Sequence, residues 1–312
     1  MYDIIGDIHG HADELVTLLE QLGYREQNAC FRHPSRKVIF CGDFVDRGPH
    51  IPDVVRIARK MVEQDAALAV MGNHEFNALA FHTPDPNRPG EFLRRHSEKN
   101  VRQHAATRSQ FDTAELQSAL EWFATLPTSL ELDGLRVVHA CWSDADHEII
   151  RQALPDSGSM NAEFLQRATS VGDEVFHAIE CVLKGPELPL PDGVTVTDKE
   201  GNQRRRIRIR WFEPAAGQTW KTYSLPVKRE LSDDPIPADA PAVPYGSKER
   251  PVFVGHYWLP DATPAPLADN IACLDYSVAK HGMLCAYRFD GERTLRADRF
   301  VAVPSRDAGP TS

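Results

Sequence analysis

Apolar residues in the first quarter of the chain follow two alternating spacings, one typical of strands and one typical of helices. Short, mostly apolar runs cover residues 2–5, 38–41 and 67–71, which is the length of buried strands. Between them, apolar residues recur with the spacing of one helix face over 15–22 and again over 51–62. Strands that alternate with helices predict a parallel sheet joined by right-handed crossovers.

The rest of the chain carries the same two spacings with longer interruptions. Helices are predicted over residues 114–126, 144–153, 161–170 and 173–183, and strands over 129–132, 135–139, 252–254, 271–274 and 284–289. The polar segment 83–110 is predicted to be a surface excursion. Within 185–250, two proline clusters surround a predicted hairpin that turns through 199–202. We therefore predict one domain over 1–304, with 185–250 as a proline-rich accessory insertion, and a mobile tail over 305–312.

Composition and charge argue against nucleic acid and membranes as binding partners of this protein. The 42% apolar content can build a sizeable core, and the formal net charge of −10 argues against general nucleic-acid binding, which needs clustered cations. The cysteines form no CxxC pair and are expected to be reduced, buried thiols. No apolar run reaches the roughly 20 residues that span a bilayer. Because the first predicted strand begins at Tyr2, we expect no signal peptide, no membrane partner and a cytoplasmic location.

Polar motifs follow each of the first three predicted strands. They read GDIHG at residues 6–10, GDFVDRG at 42–48 and GNHE at 72–75. Two histidines further along the chain, His139 and His256, each follow another apolar strand. Because the carboxyl ends of neighbouring parallel strands meet at one edge of a sheet, these side chains are expected to converge.

The chemistry of the converging side chains indicates a site for two metal ions. The candidate ligands are Asp7, His9, Asp43, Asn73, His139 and His256. Asp7 and His9 lie two residues apart, so both can point to the same side of an extended segment and reach one ion. Carboxylate, amide and imidazole ligands together suit Mn, Fe or Zn. Taken singly, an Asp after a glycine is usually a turn residue and a lone His is usually part of the core. Their order and their places after strands favour metal binding.

The motifs at 6–10, 42–48 and 72–75 resemble those of the calcineurin-like metallophosphoesterases, in particular the branch of serine/threonine phosphoprotein phosphatases and diadenosine tetraphosphatases. The resemblance covers residues 1–80 well and continues as short islands. It implies an α/β fold of four layers, α/β/β/α, built on two mixed sheets. It also implies two divalent ions, with Mn expected and Fe or Zn as alternatives, and it places Asp43 between them.

The resemblance further implies how phosphate esters would be hydrolysed. A hydroxide held between the metals attacks phosphorus directly, without a phosphoenzyme. His74 is expected to be the general acid, Asp46 to orient it and keep it protonated, and Arg47 to bind phosphate oxygens. A surface ion pair is the alternative for Asp46 and Arg47. Glu75 is expected to be structural, either capping the next helix or pairing with a cation.

Two substrate classes remain open, a phosphate monoester on a protein or small molecule and the anhydride of a dinucleoside polyphosphate or nucleotide end. Asp46 and Glu75 resemble the protein phosphatases and favour the monoester. A third hypothesis is a non-catalytic binding module, but no expected ligand or proton donor is missing.

A basic strand offers a further expectation. Alternation places Arg204, Arg206, Arg208 and Arg210 on one strand face. They form either a solvated edge strand or a positive wall that contacts a second phosphate. Lys184 is either part of a hinge or a substrate contact. Trp258 stands where many relatives have the second histidine of a Gly-His-x-His motif, which favours assigning His256 to the second metal.

Overall fold

The computed structural model describes residues 1–197, 201, 203–225, 231–260 and 263–306. The strands are β1 (Tyr2–Ile5), β2 (Arg25–Gln27), β3 (Cys30–Arg32), β4 (Lys37–Phe40), β5 (Ala67–Ala69), β6 (Ser129–Leu132), β7 (Leu135–Val138), β8 (Glu187–Pro189), β9 (Val196–Thr197), β10 (Gln203–Arg204), β11 (Arg206–Arg208), β12 (Val252–Val254), β13 (Ile271–Cys273), β14 (Asp275–Tyr276), β15 (Met283–Phe289) and β16 (Phe300–Pro304). The helices are α1 (Ala12–Gln21), α2 (Ile51–Glu63), α3 (Asn73–His82), α4 (Glu98–Gln103), α5 (Ala105–Gln110), α6 (Thr113–Ala124), α7 (Asp144–Ala153), α8 (Ala162–Thr169), α9 (Glu174–Lys184) and α10 (Trp220–Tyr223).

The first sheet contains the predicted parallel unit. Strand β1 pairs in parallel with β4, and β4 pairs in parallel with β5. On its other side β1 pairs antiparallel with β15, which also pairs with β14 and β16. The sheet is therefore mixed, as expected, and its three parallel strands end at one edge.

The second sheet has the order β13-β12-β7-β6, with β12 parallel to both β13 and β7 and with β6 antiparallel to β7. The two sheets pack through aromatic side chains: the ring of Phe253 lies 5.1 Å from that of Tyr287 and 5.7 Å from that of Phe289. Helices α1 and α2 contact the first sheet, and α7, α8 and α9 pack together beside the second. The predicted fold class, with four layers on two mixed sheets, is confirmed.

Local sequence explains why the first two helices form. Helix α1 carries two acidic residues in its first turn, where the helix dipole favours negative charge, and buries the leucine face predicted from its spacing. Helix α2 has Pro52 in its first turn, a position at which the missing N–H costs no hydrogen bond. Both helices lie on the sheet through the apolar stripe that the sequence predicts.

Most of residues 83–110 are exposed or partly exposed, as predicted for a surface excursion, although His104 and Thr107 are buried. The segment forms α4 and α5, and its polar side chains reach the loop after β4: Gln110 donates to the carbonyl of Gly48 (2.8 Å) and accepts from the N–H of Ile51 (2.8 Å). These helices pack through hydrogen bonds more than through an apolar stripe, so no 3.6-residue period marks them.

Within residues 185–250, part of the predicted hairpin is present in the structure. Strand β9 pairs with β10, and β11 pairs with β8, while most of the predicted turn, 199–202, lies outside the described residues. The division into a domain and an insertion stays a prediction. Of the predicted tail, Ser305 and Arg306 are bound to Gly282 and Glu14, and 307–312 lie outside the described residues. Among the helices described, none combines the length and apolar character of a bilayer span.

Candidate active site

Five strands end at one place in the molecule. The loops after β1, β4 and β5 in the first sheet and after β7 and β12 in the second meet there. They bring together every residue predicted for the site, which are Asp7, His9, Asp43, Asp46, Arg47, Asn73, His74, His139 and His256. All of them are buried except Arg47, which is partly exposed.

Asp43 lies at the centre of this group. Its Oδ2 is 3.4 Å from Nε2 of His9, its Oδ1 is 3.4 Å from Nε2 of His139, and Oδ1 accepts the N–H of His74 at 3.0 Å. Possible ligand atoms form two clusters, each within 4.8 Å: Asp43 with His9 and His74, and Asp43 with Asp7 and His139. Because Asp43 belongs to both clusters, its carboxylate can face two ions at once.

Asn73, His139 and His256 lie together on one side of Asp43. The Oδ1 atom of Asn73 lies 3.1 Å from Nε2 of His139 and 2.7 Å from Nδ1 of His256. The Nδ1 of His139 donates to the carbonyl of Cys41 (2.7 Å), and that of His9 donates to the carbonyl of Val45 (2.8 Å). Such bonds orient a ring and leave its Nε2 lone pair directed at the cluster, as metal-binding histidines require.

The backbone at the site is held in an uncommon conformation. His9, Asp43, Asp46, Arg47 and His256 all have φ between 47° and 73°, in the left-handed region that side chains with a Cβ rarely adopt. Left-handed residues of this kind persist only where surrounding contacts impose them, and they cluster at functional sites. The surrounding contacts therefore hold these loops in a strained backbone conformation that directs the side chains into the site.

Glu75 makes many of the hydrogen bonds that hold these loops in place. Its carboxylate accepts the backbone N–H groups of Asp43, Phe44, Val45 and Gly72 at 2.8 to 3.3 Å. The bond to Gly72 caps helix α3, which is one of the two structural roles predicted for Glu75. The other three bonds hold the loop that carries Asp43 against the start of α3.

The electrostatics of the group fit divalent cations. Burial, the charge of Asp275 and the charge of Asp43 raise the pKa of Asp7 well above its usual range. Burial also opposes ionisation of Asp43, but the surrounding imidazoles, above all His139, hold its pKa well below the usual range. When both carboxylates are ionised they repel one another in this buried place, and divalent cations between them would offset that repulsion. The residues present therefore suit hard or borderline divalent ions.

His74 and Asp46 form a pair beside this group. The Nδ1 of His74 donates to Oδ2 of Asp46 at 2.6 Å, and its Nε2 lies 3.9 Å from Oδ2 of Asp43. Burial opposes ionisation of Asp46, but hydrogen bonds from His104 and His74 hold its pKa well below the usual range. The pair thus consists of an ionised carboxylate and an imidazole whose second nitrogen faces the cluster.

Arg47 covers the open side of the cluster. Its guanidinium lies 2.5 Å from Nε2 of His9 and 3.2 Å from Nε2 of His74, and its Cζ lies 4.1 Å from the ring centre of Trp258. A guanidinium in this place can bind two oxygens of a tetrahedral anion.

Comparison with known proteins agrees with this arrangement. The sequence profile of the calcineurin-like phosphoesterases matches residues 2–185, more than half of the chain. The chain belongs to the calcineurin-like phosphoesterase family. The asymmetrical bis(5'-nucleosyl)-tetraphosphatase PrpE of Halalkalibacterium halodurans is 45% identical over 74 residues, which are 23% of this phosphoesterase and 30% of that protein. PrpE of Bacillus subtilis is 43% identical over 74 residues, with the same shares. The alignment thus spans less than a third of either relative.

Two solved structures of low sequence identity align with most of the chain at TM-scores below 0.5. A putative diadenosine tetraphosphatase has a TM-score of 0.48 and 16% identity, covering 98% of this phosphoesterase and 94% of the other chain. A serine/threonine phosphatase from Saccharomyces cerevisiae with similarity to human PP5 has a TM-score of 0.48 and 13% identity, covering 97% and 79%.

The structure of this phosphoesterase adds site residues that sequence reasoning missed. His104, between α4 and α5, and Thr107 on α5 hydrogen-bond to Asp46, from which they are 58 and 61 positions away in the sequence. Asp275 accepts the N–H of Trp258 at 2.8 Å and so fixes the turn that carries this ring. No motif marks His104 or Thr107, because they lie in a polar segment without periodicity.

The four arginines of the basic strand differ in what they contact. Arg206 and Arg210 form ion pairs with Glu187 and Glu213, as expected of a solvated strand, and Arg204 also contacts Glu187. Lys184 pairs with Glu180 on its own helix. Arg208 instead donates to the carbonyl of His256 at 2.9 Å. Arg208 is therefore the arginine of the set that contacts the backbone of the site.

Two glycines of the phosphoesterase leave room for the central carboxylates. A Cβ at Gly255 would lie 2.0 Å from Oδ1 of Asp7, and one at Gly72 would lie 2.2 Å from Oδ1 of Asp43. We expect Gly255→Ala to displace Asp7 and to lower metal content and turnover by about 10-fold or more, the scale seen when a ligand loses its support. Metal analysis of the purified variant checks this. Gly246→Ala is the control, since a Cβ there would meet no atom nearer than 3.6 Å. Normal metal content in Gly255→Ala would contradict the placement of Asp7.

Proposed function

We propose that this phosphoesterase hydrolyses phosphate monoesters, on a protein or a small molecule, with the help of two divalent ions. The observation that carries the proposal is the carboxylate of Asp43, which belongs to two clusters of possible ligand atoms, together with the hydrogen bond between Asp46 and His74, a member of one of them. Metals and a proton donor at one place are what direct hydrolysis of a phosphate ester requires.

The candidate ligands divide into two sets that share Asp43, one set for each ion. Asp7, His9 and Asp43 would bind the first ion, and Asp43, Asn73, His139 and His256 would bind the second. We propose Mn²⁺ for both positions, with Fe or Zn as alternatives, because oxygen and imidazole donors are mixed. When bound, the ions neutralise phosphate charge and make a water molecule acidic enough to serve as nucleophile near neutral pH.

The side chains around the ions divide the remaining work. Arg47 would bind the non-bridging oxygens of the phosphate and orient the ester. His74 would give the proton on Nε2 to the departing oxygen. Asp46 accepts from Nδ1 of His74 and thereby stabilises the protonated ring, which would keep the donor charged before the reaction. This assignment makes Arg47 the substrate-binding residue and the other two the proton-transfer pair.

Dinucleoside polyphosphates are the second candidate substrate. The observation that favours them is the 45% identity over 74 residues to a protein named as an asymmetrical bis(5'-nucleosyl)-tetraphosphatase. The match spans 30% of that protein. The identity therefore supports shared site loops more than it supports a shared substrate pocket. We therefore rank the monoester first.

A panel of three substrates tests the ranking. The purified chain, loaded with Mn²⁺, is assayed with p-nitrophenyl phosphate, a phosphopeptide and diadenosine tetraphosphate. We expect kcat/KM to be highest for one of the two monoesters and all turnover to stop after treatment with a chelator. A kcat/KM for diadenosine tetraphosphate far above both monoesters would reverse the order. Turnover that survives complete metal removal would contradict the proposal as a whole.

A further inference from the structure

Asp46 has more partners than its contact with His74 needs. Its Oδ1 accepts from Nδ1 of His104 at 2.8 Å and from Oγ1 of Thr107 at 2.6 Å, while its own N–H donates to Oγ1 of Thr107 at 3.0 Å. Asp46, His104 and Thr107 are 2%, 4% and 0% exposed. Oδ1 of Asp46 is therefore held by His104, between α4 and α5, and by Thr107 on α5, while Oδ2 faces His74.

The chain of contacts continues to the surface through His82. Its Nε2 lies 3.2 Å from Nε2 of His104, and its side chain is half-buried at the end of α3. Burial, followed by the charges of His104, Arg108 and His96, lowers the pKa of His82 to about 4. The ring of His82 is therefore neutral at neutral pH, and its Nε2–H can donate to His104. When Nε2 of His104 accepts this hydrogen bond, the proton that its ring offers to Asp46 lies on Nδ1, the atom that faces Asp46.

We propose that His104 is a positioning residue for proton transfer, which fixes Asp46 so that Oδ2 stays directed at His74. The inference rests on the proposed function and deepens it, because it assigns a role at the same site to a residue more than fifty positions away. A carboxylate bonded at one oxygen only can rotate about its last side-chain torsion. With Oδ1 fixed by two donors, rotation would break both bonds, so Oδ2 has one place to lie.

The role predicts an effect on proton donation and not on substrate or metal binding. Within the described part of the chain, the side chain of His104 contacts Asp46, His82 and Phe81, none of which is a candidate metal ligand or is proposed to bind phosphate. Supporting residues of this kind usually change activity by about 10- to 100-fold. The loss should appear in kcat, and mainly for esters whose leaving group needs a proton to depart.

Two aromatic monoesters separate this role from a general loss of structure. The p-nitrophenolate ion departs readily without a proton, whereas phenolate does so poorly. With Mn²⁺-loaded protein, we expect His104→Leu to lower kcat for phenyl phosphate by about 10- to 100-fold, with kcat for p-nitrophenyl phosphate changed by less than about 3-fold. Both KM values and the metal content should remain within about 2-fold of those of the unaltered chain.

A conservative variant provides the matched comparison. The side-chain nitrogen of asparagine can occupy the place of histidine Nδ1, so His104→Asn should recover most of the phenyl phosphate turnover that His104→Leu loses. If His104→Leu does not fold, Thr107→Val removes the other side-chain donor to Oδ1 and carries the same expectation.

The outcomes that overturn the inference are distinct from those that overturn the proposed function. Equal loss on both esters, or no loss on either, would overturn the role of His104 while leaving the hydrolase in place. An unaltered chain that releases phosphate from neither ester, while hydrolysing no anhydride either, would overturn the proposed function itself. A selective loss on phenyl phosphate that His104→Asn restores would support both.

Discussion

Asp43→Asn should remove both metal ions and lower turnover by more than about three orders of magnitude, because in the proposed mechanism the ions supply the acidic water that attacks phosphorus. Asp43 is the residue whose carboxylate belongs to both ligand clusters. A neutral amide in its place would leave two cations facing each other without a shared negative charge. Metal content by mass spectrometry and phosphate release from p-nitrophenyl phosphate measure the two effects in one preparation.

The matched control is Asp53→Asn, which makes the same chemical change on an exposed position of α2. It should keep both its metals and its turnover. If Asp43→Asn retained two ions per chain and more than a tenth of the turnover, Asp43 would not bridge metals, and the proposed mechanism would have to be abandoned.

His74→Asn is the second substitution with a large expected effect. It should lower kcat by about two to four orders of magnitude, the usual contribution of a general acid, while both metals stay bound. Asparagine keeps a polar group near Asp46 but has no proton that it can give to a leaving oxygen. Steady-state rates with phenyl phosphate, together with metal analysis, separate the chemical step from metal binding.

His177→Asn is the control for this change, since His177 is exposed on α9 and remote in sequence from the motifs. Its kinetics should match those of the unaltered chain. The assignment of His74 would fail if His74→Asn kept normal kcat, or if its loss of turnover followed in full from a loss of metal.

The parallel core was predictable because its signals are local. Each strand of the β1-β4-β5 unit is a short apolar run, and each connecting helix has one apolar face that packs on the sheet. These patterns depend on residues within a few positions of one another. Helix α7 and strand β12 have the predicted bounds for the same reason.

The candidate ligands were predictable as a set because fold topology turns sequence order into proximity. A residue just after a parallel strand lies at the carboxyl edge of the sheet, whichever strand it follows. Asp7, Asp43 and Asn73 follow β1, β4 and β5, and His139 and His256 follow β7 and β12. Within each sheet, convergence follows from neighbouring parallel strands, whereas the meeting of the two sets of loops depends on how the two sheets pack.

The support around those ligands was decided by tertiary contacts alone. His104 reaches Asp46 from a polar segment, Trp258 lies under Arg47, and Arg208 bonds to the carbonyl of His256. Each contact joins residues far apart in sequence through hydrogen bonds or ring packing, which impose no repeating pattern on the chain. Apolar burial repeats with the period of a helix or strand and is visible in the amino-acid order. A single polar contact between distant loops has no period, so it becomes visible only once the backbone is in place.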